Sequence, residues 1–136
     1  MRYKVLLALA VLVIGSTIAK GQQSVIIPAT TISTPVGWAS DGAQVVISGV
    51  TGQRIYVTAF DGVASGTGTV LLTSGTGAGC ATGTVNITGT YSLTTQTRIS
   101  IGTGNGAIWV VGSGLNLCAT VTSPVGLRGF MSYSIF

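Results

Sequence analysis

Beyond its first twenty residues the chain offers two carboxylates, two thiols and no imidazole, which leaves very little catalysis within reach. Asp41 and Asp61 are the acids. A glycosidase-like acid/base pair needs both carboxyls in one cleft at a set separation. Asp41-Gly42 and Asp61-Gly62 instead read as turn dipeptides, in which the Asp side chain bonds its own backbone. Without histidine there is no imidazole base, and lysine and glutamate are missing after Lys20, so nucleophile–base pairs cannot be built. No catalytic, cofactor-binding or metal-ligating residue is expected, because two cysteines without a histidine do not make a metal site. The chemistry that remains is oxidation. Cys80 and Cys118 are expected to form a disulfide in an exported chain, the alternative being two buried free thiols in a reducing compartment.

Three further features invite a functional reading. Gly102-Thr103-Gly104-Asn105-Gly106 is glycine-rich, yet it lacks the lysine and the helix that would make it cradle a phosphate, so it reads as a hairpin loop. Asn86-Ile87-Thr88 matches the N-glycosylation sequon but falls inside an expected strand, where it is incidental. Trp38 and Trp109 are the candidate interaction surface. Trp109 falls out of phase with Ile108 and Val110 and is expected to point away from the core, toward a partner such as a glycan or another protein. The competing reading is that a small core absorbs these rings.

The elements that must hold these residues are short strands. Apolar residues alternate with polar ones at 44–48, 54–60, 69–73, 84–88, 98–101, 107–111, 115–121 and 125–135, separated by Gly, Ser and Thr. In 54–60, Ile55, Val57 and Ala59 form the expected inner set. No stretch after the leader carries helical periodicity, so the fold expected is all-β, an antiparallel β-sandwich or jelly roll, with a closed barrel as the runner-up. Residues 44–136 would form that domain. Residues 22–43 form an extended lead-in with a candidate edge strand at 24–27, and prolines 28 and 35 close off helix there.

Residues 1–21 read as a cleavable leader or hydrophobic anchor. Arg2 and Lys4 precede eleven apolar residues, and Ala19-Lys20-Gly21 offers small residues around a cut before Gln22. Any membrane contact is expected through this leader alone. Setting it aside leaves three arginines (Arg54, Arg98, Arg128) against two aspartates, a net charge of +1. Such a chain has no basic patch for nucleic acid. It also has little charge repulsion to keep copies apart, so self-association is expected. The protein is expected to be exported, to the periplasm, the cell surface or the medium, or to reside in a virion.

The segments at Cys80-Ala81-Thr82-Gly83-Thr84, Tyr91-Ser92-Leu93, residues 102–106, Leu117-Cys118 and the closing Gly129-Phe130-Met131-Ser132-Tyr133-Ser134-Ile135-Phe136 resemble a recurring group of small β-rich proteins encoded by tailed phages and prophages. The resemblance implies a virion-associated coat, head-decoration or fibre-associated subunit. It covers roughly residues 45–136 and carries no functional residue with it. An exported bacterial surface or adhesin-like module is the alternative.

Overall fold

The computed structural model describes residues 31–38, 41–102, 106–122 and 126–136. The expected leader, the 24–27 strand and the centre of the 102–106 loop lie outside these residues. Ten strands follow in chain order: β1 (Ile32–Trp38), β2 (Gly42–Ile47), β3 (Ile55–Ala64), β4 (Gly68–Thr76), β5 (Thr82–Asn86), β6 (Tyr91–Leu93), β7 (Arg98–Ile101), β8 (Trp109–Val111), β9 (Asn116–Val121) and β10 (Leu127–Ile135). Their composition is the cause: Val, Ile, Thr and aromatic residues suit a pleated surface, and glycine falls in most of the connections between them. Among the described residues no helix is long and apolar enough to cross a membrane.

The strands form two antiparallel sheets. Sheet A has the order β1-β10-β3-β7, with β8 on the same edge of β3 as β7. Sheet B has the order β2-β9-β4-β5, with β6 sharing that edge of β4. Counting β5/β6 and β7/β8 each as one interrupted strand, corresponding places in the two sheets are taken by chain neighbours: β1 and β2, β10 and β9, β3 and β4. That winding is a jelly roll, in which the chain wraps two layers around one core. The sandwich therefore includes Ile32–Trp38, ahead of the expected start at Gln44, because β1 pairs with β10 over its whole length. Pro35 is tolerated there because β1 is an edge strand and has a free side for a residue that cannot donate.

Alternate residues point inward and fill the core: Ile55, Val57, Phe60, Val70, Leu72, Val111, Leu117, Ala119, Leu127 and Met131 are almost fully buried. The inward set of β3 differs from the expected one. Val57 pairs with Tyr133 and Ala59 with Ser132, so Thr58 is an extra residue that shifts the phase. Phe60 consequently points inward and Ala59 outward. The buried Thr58 hydroxyl is satisfied by donating to the Ser132 carbonyl at 3.2 Å.

Asp61-Gly62 is not a turn. Both residues lie in the middle of β3, paired with Phe130 and Gly129. Asp41 does precede a strand, with Gly42 at a φ of 101°, where glycine is at home.

Candidate interaction surface

The two sheets present different outer faces. On sheet B, Cys118 points outward between the inward Leu117 and Ala119, and it bonds Cys80 with an S–S distance of 2.01 Å. This disulfide pins a short 3-10 turn, Ala78–Cys80, onto the outside of the sheet. The fit is tight: a Cβ on Gly79 would lie 2.6 Å from the Ala43 carbonyl oxygen, and Gly79 has a φ of 59°. Asn116 anchors the same region, accepting from the Gly49 N–H at 2.8 Å and donating to the Gly77 carbonyl at 3.3 Å. Both cysteines are buried by this arrangement. A structural disulfide fits an oxidising, exported environment.

Sheet A has no such cover among the described residues. Its register places four rows on the outer face, of which Ser33, Ser132 and Ala59 make up the row of small side chains. Pro35, Phe130, Asp61 and Ser100 form one row, and Gly37, Arg128, Val63 and Arg98 the next. Toward the far end Tyr56 pairs with Val110, and the Tyr56 and Phe136 rings stack at 4.3 Å between centroids. Phe130 is 45% exposed although it sits on an inner strand of the sheet. Val63 and Val110 are exposed alongside it. This face also collects charge on an otherwise nearly ion-free exterior. Arg98 donates from Nη2 and Nε to the same Asp61 oxygen at 2.7 and 3.1 Å, while Arg128 has no ion pair among the described residues.

The Arg98 side-chain hydrogen bond holds the Asp61 carboxyl below the usual aspartate range, against a smaller opposing push from desolvation. A depressed folded-state pKa stabilises the fold above the unfolded value of 3.8 and is lost as pH falls through the lower folded value. Arg98 is 67% exposed, so solvent screens the pair and its share of stability is small. The chain has no histidine, the side chain that ordinarily changes charge between about pH 5 and 8. The melting temperature is therefore expected to be flat across that range, to dip below pH 4, and to dip less in Asp61→Asn. Scanning calorimetry from pH 2 to 9 checks this, and a mid-range transition would contradict it.

The candidate residues fall in different places. Trp38 is 4% exposed, with its ring 5.7 Å from Phe60. Trp109 pairs with the inward Val57, and its ring lies 6.0 Å from Phe60. Trp109 is half-buried against the core, and its neighbour Val110 is the one that points out, so the expected phase of this strand is reversed. Both rings serve the core because a two-sheet sandwich of this size needs large side chains to fill it. Asp41 leads into β2 of sheet B, whereas Asp61 points out of sheet A, so the two carboxylates do not line one cleft. Among the described residues no group of three or more His, Cys, Asp or Glu side chains comes together.

Phe130 and Arg128 are surface residues outside the expected candidate pair Trp38 and Trp109. Their signal is parity: in 127–131, Leu127 and Met131 go inward, so Arg128 and Phe130 must share the opposite face. A pocket of about 240 Å³ lies at the end of the same sheet, lined by Gly37, Trp38, Ser65, Gly126, Leu127 and Arg128. No protein-family model, curated protein or solved structure matches this chain.

Proposed function

We propose that this protein is a non-enzymatic structural subunit that packs by the outer face of sheet A, as a coat, decoration or fibre-associated component of a phage particle. The observation that carries the reading is the contrast between the two faces: one carries a disulfide-pinned turn across β2, β9 and β4, and the other displays Phe130, Val63, Val110 and the Tyr56–Phe136 stack. Aromatic residues with arginine and few acids are the composition of contact surfaces. The phage assignment rests on the sequence resemblance, and the export route on the leader. Mass spectrometry of purified particles is expected to find the polypeptide at stoichiometric abundance. Recovery only from host culture medium would remove the phage reading.

An exported surface module that binds glycan is the second reading. It is favoured by the exposed aromatic faces beside Arg128, since sugars stack on such rings. The pocket beside Arg128 is smaller than the roughly 300 Å³ at which ligand sites usually begin. Any sugar would therefore lie on the sheet rather than in a cavity. A glycan array that stays blank counts against this reading.

A further inference from the structure

We infer that two copies of this chain pair face to face through the outside of sheet A, with Phe130 at the centre and Arg128 of each copy against Asp61 of the other. The inference rests on the structural-subunit reading and names the partner of that face.

The geometry is self-complementary. Phe130 is paired with Asp61 and Arg128 with Val63, so Arg128 and Asp61 are diagonal neighbours on adjacent strands, about 7–8 Å apart at the backbone. A two-fold axis lying in the face between β10 and β3 exchanges these two positions, so each contact forms twice, as an isologous interface requires. The charges fit that exchange. Arg98 donates to one Asp61 oxygen from Nε and Nη2, the Ser100 side chain also hydrogen-bonds the Asp61 carboxylate, and Arg128 lacks an ion pair in its own copy among the described residues.

The face is also large enough. Four strand positions spaced about 4.8 Å apart, with the nine residues of β10 rising about 3.4 Å each, give a projection of roughly 600 Å². Pleat and side chains raise the accessible area toward the ~800 Å² per partner of a standard interface.

Other surfaces suit pairing less well. The Ala78–Cys80 turn stands on the outside of sheet B across β2, β9 and β4 and interrupts that face. Among the edges, β1 carries Pro35, and the pairings of β2 and β5 are broken by bulges. Such features discourage edge-to-edge addition. The central residues of the sheet A face, Ala59 and Ser132, are small, which lets a second pleated layer approach.

Sedimentation and light scattering on the oxidised protein test this at roughly 50 µM, where a standard-size interface is populated. The wild type is expected to be a dimer. Phe130→Asp is expected to weaken it by roughly 30-fold or more, as for an aromatic at the centre of an interface. Val85→Asp, at the 58% exposed Val85 of β5, should leave it unchanged. Arg128→Asp and Asp61→Arg should each be monomeric alone, yet pair when mixed, because the mixture restores opposite charges at both contacts. Circular dichroism shows that each variant is folded.

A monomeric wild type, a Val85→Asp variant that dissociates while Phe130→Asp does not, or charge variants that fail to pair on mixing would overturn the inference. The two readings fail separately: a subunit found in particles but monomeric in solution loses the pairing alone, and a dimer absent from every particle loses the phage reading alone.

Discussion

Replacing Cys80 and Cys118 together by alanine is expected to lower the melting temperature by roughly 15 °C or more, measured by calorimetry at pH 7. The cross-link closes a loop with a sequence separation of 38. A loop of that length restricts the unfolded chain by about 4 kcal/mol in the chain-entropy account. A small domain shifts by about 4–8 °C per kcal/mol, so the loss is a large part of its margin. A second contribution comes from the native side, because the cross-link keeps Gly79 against Ala43 on the outside of sheet B. Both cysteines are buried, so a reductant should reach the bond only in molecules that have opened. The rate of reduction in native buffer then measures that opening. Cys80 has a φ of 59°, a conformation uncommon for any residue with a side chain. Glycine at position 80 in the same double variant should therefore recover about 1 kcal/mol. A drop of only a few degrees would mean that packing and the Asn116 hydrogen bonds hold the turn without the bond.

How far such features are legible in sequence depends on whether a local pattern or a tertiary contact decides them. Residues 98–101 alternate strictly, and β7 occupies those residues. The all-β class follows from the same periodicity together with the absence of helical spacing, whereas the jelly-roll winding is set by the strand order. The phase of β3 past Val57 does not, because the bulge at Thr58 depends on how β10 pairs beside it. The inward face of β8 is set by a tertiary contact as well. Three residues of β8 between glycine-rich turns carry too few alternations to tell which parity is inward, and Val57 on the neighbouring strand decides it. The strand at Ile32–Trp38 was hidden by Pro35, which marks a break when read alone and an edge once β10 is beside it. Asp61-Gly62 has the composition of a turn, yet the pair lies in a ten-residue strand, where Arg98 of β7 donates to the Asp61 carboxylate and Gly129 of β10 sits opposite Gly62. The disulfide needed only compartment logic and two cysteines. The surface at Phe130 needed the register of β10.

Gly129, opposite Gly62 between β10 and β3, is expected to be the least forgiving glycine among the described residues. A Cβ added at Gly129 would overlap the Asp61 carbonyl oxygen and lie 2.6 Å from the Gly62 Cα, so the backbone itself would have to move. No side-chain rotation relieves a contact of that kind. Gly129→Ala is therefore expected to cost about 3 kcal/mol or more, the upper end for overpacking, read as a fall in the urea midpoint at an unchanged slope. Its register partner Gly62 has a different neighbour: a Cβ there would meet the Leu127 side chain at 3.2–3.3 Å. A leucine can shift by a few tenths of an ångström, so Gly62→Ala should cost less than Gly129→Ala. Gly37 provides the internal reference, since it lies one strand away in β1 with nothing near its added Cβ. Gly37→Ala should stay within about 0.5 kcal/mol of the wild type. The order Gly129 over Gly62 over Gly37 follows from what each methyl would touch, since glycine's backbone entropy is common to all three. If Gly129→Ala proves as mild as Gly37→Ala, β10 can back away from β3 without loss. The outer face that holds Phe130 beside Asp61 would then not be fixed by their close approach.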